Sequence, residues 1–133
     1  MKQFLSAISI IAADYDEAID YYTNKLGFEL KEDIDQGNDL RGKKKRWVTV
    51  QPKGGESQIV LAQPSNDEQR DFIGKQGAGR VWLFLQTDDF YRDHKAMLAN
   101  GVEFLEQPRE EVYGIVAVFQ DLYGNKWDLI QRF

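Results

Sequence analysis

The sequence contains the same succession of elements twice, and this repeat limits the fold more than any other feature. The first copy runs from about residue 4 to 63 and the second from about 80 to 133. Residues 64–79 lie between them and are polar and rich in Gly and Gln, as a linker is. Each copy predicts a short strand, an acidic turn, a helix ending at a glycine and further strands. We therefore predict an α+β fold in which residues 1–133 form one domain of two tandem βαβββ modules.

Local signals place the elements of each module. Asp14 is a good helix N-cap, and Gly27 is suited to end the same helix. Predicted strands of the first module cover residues 4–11, 28–34, 46–51 and 57–63, and a short helix is expected at 67–72. In the second module we predict a helix over residues 89–100 and strands over residues 80–85, 102–106, 114–120 and 126–131.

Composition excludes several classes of function. The net charge of −5 and the pI of about 4.9 disfavour nucleic acid and anionic membranes as partners. The chain has no cysteine, which excludes thiol catalysis and thiolate metal sites. No apolar stretch is long enough to span a membrane, and no secretory signal is recognisable, so we expect a cytoplasmic protein. The basic run 43–46 is interpreted as the solvated flank of a hairpin.

Two segments carry a family resemblance. Residues 90–103 together with 118–129 resemble the closing half of a vicinal-oxygen-chelate protein, the superfamily of glyoxalase I, the bleomycin-resistance proteins and the extradiol dioxygenases. Residues 14–27, with Tyr21 and Tyr22, resemble its opening half. The resemblance implies a cupped, barrel-like mixed sheet around a ligand cleft, with the helices on the outer face. Function does not follow from it, because the superfamily contains both enzymes and binding proteins.

The resemblance also implies where a metal ion would be held. Family enzymes take one His, Gln or Glu from the first and last strands of each module, and these positions correspond here to Ala7, Val60, Arg80 and Asp128. Only Asp128 is a plausible ligand, since an arginine stays protonated and the other two lack donor atoms. We therefore expect no metal and no other cofactor. An enzyme with differently placed ligands, such as Gln58, Glu103 or Gln120, is the first alternative.

Alternation along the strands suggests a ligand-binding surface instead. Arg80 and Asp128 are expected to lie side by side, either as a structural pair or as a site for an anionic oxygen. Period-two spacing predicts that Trp82 and Phe84 share the face of Arg80, with Val81, Leu83 and Leu85 facing the helix. By the same rule Trp47 and Thr49 lie opposite Val48 and Val50. These residues would suit a planar, partly anionic small molecule.

Other candidates are weaker. The single histidine, His94, lies on the helix face that is expected to contact the sheet, and we expect it to pack there rather than to catalyse a reaction. Glu110 or Glu111, beside Tyr113, would be the base of a metal-independent enzyme, which is the second alternative. Because isolated modules of this kind leave an open sheet edge, we also expect a homodimer. Our first hypothesis is a metal-free protein that binds a small organic molecule.

Overall fold

A computed structural model describes all residues, 1–133, and divides them into two compact units. The first unit comprises residues 1–73 and the second residues 74–133. The boundary falls inside the predicted linker. Each unit holds one mixed sheet and few helices, so the α+β prediction is confirmed. The strands form two separate open sheets, and neither closes into a barrel. None of the helices is long and apolar enough to cross a membrane.

The first unit contains four strands and two short helices. They are β1 (Ala7–Ile11), α1 (Tyr15–Asp20), a π-helical turn (Tyr21–Lys25), β2 (Glu29–Asn38), β3 (Lys44–Gln51), β4 (Gln58–Ala62) and α2 (Asp67–Asp71). The strands form one sheet with the order β1-β4-β3-β2. Strand β1 runs parallel to β4, and the other neighbours are antiparallel. The long strands β2 and β3 form a hairpin that extends beyond the predicted residues.

Helix α1 covers one face of this sheet. Its start is fixed by Asp14, whose side chain accepts hydrogen bonds from the backbone N–H groups of Asp16 and Glu17. The helical segment stops before Gly27, which has a φ of +75° as the predicted C-terminal residue requires. Beneath the helix the fully buried side chains are aliphatic and come from three strands: Ile10, Val48, Val50 and Leu61.

The second unit repeats this arrangement. Its elements are β5 (Val81–Gln86), α3 (Phe90–Ala99), β6 (Glu103–Phe104), β7 (Arg109–Glu111), β8 (Gly114–Gln120) and β9 (Lys126–Arg132). The strand order is β5-β9-β8-β6. Strand β5 runs parallel to β9, and the short strand β7 pairs with β8 beside β6. The sequence predicts all of these except β7.

An aromatic ladder joins α3 to the sheet. His94 stacks on Phe90 with ring centroids 5.4 Å apart and meets Phe104 edge-on at 4.5 Å. The ladder continues through Phe119 to Trp127, whose rings stack at 5.7 Å. Burial lowers the pKa of His94, because the charged ring loses hydration. The prediction that His94 packs against the sheet from its helix is therefore confirmed.

Candidate functional site

The face of the second sheet opposite α3, hereafter its open face, carries the principal candidate site. Strand register places Phe84, Asp128 and Val118 beside one another on β5, β9 and β8. The alternate residues of the same strands, such as Leu83, are buried on the helix side. The side chain of Phe84 is 66% exposed, against 8% for Leu83. Alternation thus correctly separates these two residues.

Asp128 is the unusual group on the open face. One of its carboxylate oxygens, Oδ1, is buried and has no hydrogen-bond partner. Burial raises the pKa of Asp128, the positive charge of Arg109 lowers it, and the negative charge of Glu106 raises it again. A carboxyl that keeps its proton to higher pH can donate a hydrogen bond to a ligand oxygen or exchange a proton with it.

Arg109 is the cation whose charge acts on Asp128, and two carboxylates hold it in place. Its guanidinium donates to Glu106 through Nε at 2.9 Å and to Glu111 through Nη1 at 2.8 Å. Glu106 is fixed in turn, because its Oε2 accepts the backbone N–H of Val118 at 2.9 Å. Register pairs Arg109 with Val116, which faces the same side as Asp128. The cluster is therefore a rigid arrangement of charges beside a desolvated carboxyl.

The predicted pairing of Arg80 with Asp128 is wrong. Asp128 lies opposite Phe84 in the register, and Arg80 is an exposed residue that precedes β5. The error is one of alignment, because the residue of β5 opposite Asp128 is Phe84, four residues beyond Arg80. Strand β5 is also irregular, since Val81 pairs with Lys126 but Leu83 already pairs with Trp127. Two residues of β5 thus correspond to one step of β9, which interrupts the alternation along β5 before Leu83.

Because of the same irregularity, alternation from Leu83 no longer assigns Trp82 and Val81 to their predicted faces of the sheet. Val81 shares a register position with Lys126, which alternates with the buried Trp127, so Val81 does not continue the row of Leu83. Trp82 packs against the turn before the strand, because a methyl group added at Gly77 would lie only 2.7 Å from its Cβ atom. Trp82 is half-buried there.

The carboxylates proposed as bases are already engaged. Glu110 accepts a hydrogen bond from the hydroxyl of Tyr91 at 3.0 Å, and Glu111 pairs with Arg109. Both belong to the regular strand β7 rather than to a loop. Tyr113 is about half exposed at the turn between β7 and β8. Asp128, whose Oδ1 has no hydrogen-bond partner, is therefore a better candidate for an acid or base than Glu110 or Glu111.

The first sheet also has an open face, opposite α1. Trp47 and Thr49 lie on it, as alternation predicts, since Val48 and Val50 are buried beneath the helix. Glu32 of β2 joins them: its Oε1 accepts from the indole Nε1 of Trp47 at 3.2 Å and from the Thr49 hydroxyl at 3.4 Å. Trp47 is 38% exposed, whereas Thr49 has no exposed surface. Thr49 is thus a support for Glu32 rather than a surface that a ligand touches.

A pocket of about 620 Å³ opens at one end of the first sheet. The β2–β3 loop, the adjoining part of β3 and the segment that follows β4 line it. Five cationic side chains and one carboxylate, Asp39, belong to this lining, together with Trp47. The basic run flanks the β2–β3 hairpin with Lys43, Lys44 and Lys45 exposed, as predicted, and it also lines this pocket.

The residues present do not fit a divalent metal ion. Register places Ser9 opposite Val60, Gln58 opposite Ala7 and Phe84 opposite Asp128, which provides no set of converging ligands. Glu103 and Gln120 hydrogen-bond each other at 2.7 Å. No three His, Asp or Glu side chains are grouped closely enough to hold a metal ion. Divalent ions of the kind that family enzymes use require more donors than these pairs supply.

Sequence reasoning missed Arg109, Glu106 and the pocket. Arg109 lies on a three-residue strand without an apolar pattern, so nothing in its surroundings predicts which way it faces. The available signal was the spacing of opposite charges at Glu106, Arg109 and Glu111, which favours an ion-paired cluster. The pocket depends on the fold of the loop and leaves no periodic signal in the sequence.

The chain is similar to known proteins in both sequence and structure. Residues 5–129 match the model of the glyoxalase/bleomycin resistance protein/dioxygenase superfamily. An uncharacterized protein of Shewanella frigidimarina (strain NCIMB 400) is 52% identical over 132 residues, which cover 98% of this chain and 95% of that protein. The crystal structure of UcmS2 is similar with 32% identity and a TM-score of 0.81, covering 98% of each chain. TnmS3, an antibiotic binding protein from Streptomyces sp. CB03234, has 28% identity and a TM-score of 0.77, covering 99% of this chain and 98% of its own.

Proposed function

Because the chain belongs to the glyoxalase/bleomycin resistance protein/dioxygenase superfamily, we propose that it binds a small, planar, partly anionic organic molecule without a metal ion. The proposed site is the open face of the second sheet. One observation carries the proposal: the exposed ring of Phe84 lies beside the carboxyl of Asp128, whose buried oxygen has no partner. An aromatic surface with one convergent polar group is what a planar ligand with an acidic oxygen requires.

Each residue has a distinct task in this proposal. Phe84 stacks on the ligand, and Asp128 shares a proton with the ligand's phenolic or enolic oxygen. Arg109 hydrogen-bonds to Glu106 and Glu111 and offsets their negative charge near Asp128. The similarity to TnmS3 supports a binding protein, because that relative is described as an antibiotic binding protein.

The remaining predicted contacts are proposed with narrower tasks. In the first unit, taken by itself, Trp47 offers a partly exposed indole to a ligand of its own sheet, with Thr49 supporting it through Glu32. Trp82 serves as a fluorescent reporter near the start of β5. Arg80 is an exposed cation that can attract an anionic ligand without pairing with Asp128.

The test is titration of the protein with planar phenols and aromatic acids, followed by tryptophan fluorescence and calorimetry. We expect Phe84→Ala to weaken binding by about tenfold, the scale of a lost aromatic contact. Tyr91→Ala is the matched control, since Tyr91 is also an aromatic residue, about half exposed, but lies on α3. Equal losses in the two variants, or no binding by the wild type, would contradict the proposed face.

Elemental analysis tests the metal-free part of the proposal. Protein purified without chelator should contain no stoichiometric transition metal after dialysis, and chelator treatment should leave ligand affinity unchanged. A tightly held metal, with ligand affinity that falls on chelation, would contradict binding without a metal ion.

A metal-independent enzyme is the second candidate, and the raised pKa of Asp128 favours it. Asp128 would then act as general acid or base on the bound molecule. The two candidates differ in the fate of the ligand. Nuclear magnetic resonance of the ligand after prolonged incubation should show it unchanged for a binding protein, and converted in wild type but not in Asp128→Asn for an enzyme.

A further inference from the structure

We propose that the pocket of the first unit is a second binding site, which takes a small organic molecule carrying a phosphate group. This site is independent of the function proposed for the second sheet. Three observations support the proposal. Cationic side chains line the pocket, three of these cations have no ion-pair partner, and Trp47 belongs to the lining.

The cations of the pocket are unequally neutralised. Arg46 is fully engaged, with Nη2 2.7 Å from Asp33 and Nη1 2.9 Å from Asp16. Lys44 lies 3.7 Å from Asp35, and both of these side chains are about two-thirds exposed. No carboxylate lies within ion-pair distance of the three remaining cations, which are Arg41, Lys43 and Lys45.

The β2–β3 loop brings these cations to one rim. Asp39 accepts the backbone N–H groups of Arg41 at 2.8 Å and Lys43 at 2.9 Å through the same oxygen, Oδ1. These two hydrogen bonds lower the pKa of Asp39, which favours its ionised form. They also join residues 39, 41 and 43 of the loop. Asp39 is the only carboxylate of the lining, so cations predominate five to one.

Three unpaired cations suit a dianionic group better than a single carboxylate. Lysine binds phosphate as a point charge, and arginine adds a fork of donors. The patch is locally positive although the whole chain carries a net charge of −5. A small anion is therefore attracted by the patch, while a long polyanion would also meet the acidic remainder of the surface.

Apolar residues in the lining account for the organic part of the ligand. Trp47, whose partly exposed indole donates its Nε1–H to Glu32, belongs to the lining together with Leu40 and Pro64. Tyr15, Ser65 and three glutamines also line the pocket, so the lining as a whole is mixed. Phosphate at the rim and an aromatic or aliphatic body against Trp47 would fill both parts of the pocket.

The experiment uses phenyl phosphate, inorganic phosphate, benzoate and phenol as probes, each titrated calorimetrically into the full chain. We expect phenyl phosphate to bind more tightly than either inorganic phosphate or benzoate at a site that is lost in Lys43→Gln/Lys45→Gln, and phenol to show no binding that this double substitution weakens. Raising the salt concentration should weaken this phenyl phosphate binding, since the attracting charges are exposed. Phenol binding that depends on Lys43 and Lys45 as strongly as phenyl phosphate binding does would overturn the proposal, as would phenyl phosphate binding insensitive to salt.

Variants locate the site. Lys43→Gln/Lys45→Gln should weaken phenyl phosphate binding by about tenfold or more, the scale of lost charge-assisted hydrogen bonds. Lys75→Gln/Lys95→Gln changes the net charge equally at exposed positions of the second unit and should have no such effect. Trp47→Ala should weaken phenyl phosphate while leaving inorganic phosphate unchanged. Equal losses in both lysine pairs would show non-specific attraction and overturn the proposal.

Two further measurements distinguish this pocket from the open face of the second sheet and from a membrane-binding patch. Phe84→Ala should leave unchanged the phenyl phosphate binding that depends on Lys43 and Lys45, so failure of the second-sheet proposal and failure of this one are distinguishable. Vesicles containing phosphatidylglycerol should not sediment the protein. Sedimentation with vesicles in the absence of phenyl phosphate binding would mean that the patch recognises a surface, which contradicts a small-molecule site.

Discussion

Asp128 sits where an ionised carboxylate is costly. Its buried Oδ1 lacks a hydrogen-bond donor, and its neighbours across the strands are the hydrocarbon side chains of Phe84 and Val118. Arg109 compensates only in part, because its guanidinium is bound by Glu106 and Glu111. Burial therefore dominates, and the pKa of Asp128 lies above its ordinary value.

This shift gives Asp128→Asn a characteristic dependence on pH. A carboxyl group whose pKa is raised by folding contributes its full stabilisation at pH values below the pKa of the unfolded state, about 3.8. This contribution is lost as the pH rises through the pKa of the folded state. Replacing the carboxyl by an amide should therefore raise the melting temperature at neutral pH relative to wild type, and less so at about pH 3. Thermal unfolding followed by circular dichroism measures both.

The control for this prediction is Asp71→Asn, an exposed carboxylate at the end of α2. It should change the melting temperature by a similar small amount at both pH values. If Asp128→Asn instead destabilises the protein at neutral pH, the ionised carboxylate has a stabilising partner that outweighs its burial.

Alternation along a strand predicts faces well and fails where the strand is irregular. It correctly placed Phe84 apart from Leu83, and Trp47 and Thr49 opposite Val48 and Val50. It could not anticipate the irregularity between Val81 and Leu83, which depends on how β5 pairs with β9 and not on β5 alone. Arg80 was assigned a partner that the pairing gives to Phe84, because the sequence alone does not show which residues of β5 and β9 lie opposite each other.

At the scale of elements, Arg46 links three of them in the first unit. Its guanidinium bridges Asp33 on β2 and Asp16 on α1, and its carbon Cζ lies 5.1 Å from the ring centre of Tyr15. The Arg46 side chain is only 16% exposed, so these contacts are partly shielded from water. Shielded pairs of this geometry stabilise more than exposed ones.

We therefore expect Asp33→Asn to destabilise the protein by about 1–2 kcal/mol, the scale of lost hydrogen bonds to a charged group. Asp35→Asn on the same strand is the matched control, since its pair with Lys44 is exposed at 3.7 Å and should contribute about 0–1 kcal/mol. Urea unfolding of both variants measures the difference. Equal effects would mean that the Arg46 bridge contributes no more than a surface pair.

The Asp33 pair should also respond to pH with the sign opposite to that of Asp128. The hydrogen bond from Arg46 lowers the pKa of Asp33. Its stabilisation is therefore present above the unfolded value of about 3.8 and is lost as pH falls through the lower, folded pKa. The gap in stability between wild type and Asp33→Asn should narrow in acid, whereas a constant gap would refute this cause.

Elements with strong periodic patterns were predictable, and short or polar ones were not. The helix that begins after Asp89 and the apolar strands of both modules lie within a few residues of their predicted positions. Strand β7 was missed because three charged residues gain their strand geometry only by pairing with β8. Strand β2 extends to Asn38 for a similar reason, as its polar end is held by the neighbouring β3.

At the scale of the whole chain, the repeat in the sequence corresponds to a repeat in topology. Each unit places its first strand parallel to its last and antiparallel strands beyond it. The arrangement follows from the chain order, since a helix after the first strand allows a parallel neighbour. The repeat was therefore the strongest predictor of fold, whereas the candidate sites depend on side chains that differ between the copies.

The last prediction concerns association of two chains. Strand β2 forms an edge of the first sheet, all ten of its residues are exposed, and Leu30 and Ile34 are each about half exposed. A long edge with exposed apolar side chains favours pairing with a second copy, which gives its backbone groups partners. We expect light scattering to report a homodimer, with twice the 15.4 kDa mass of one chain. Ile34→Lys should shift the protein towards monomer, while Leu98→Lys, at a similarly exposed position on α3, should not. A wild-type monomer at micromolar concentration would contradict the prediction, and a dimer unaffected by Ile34→Lys would exclude β2 as its interface.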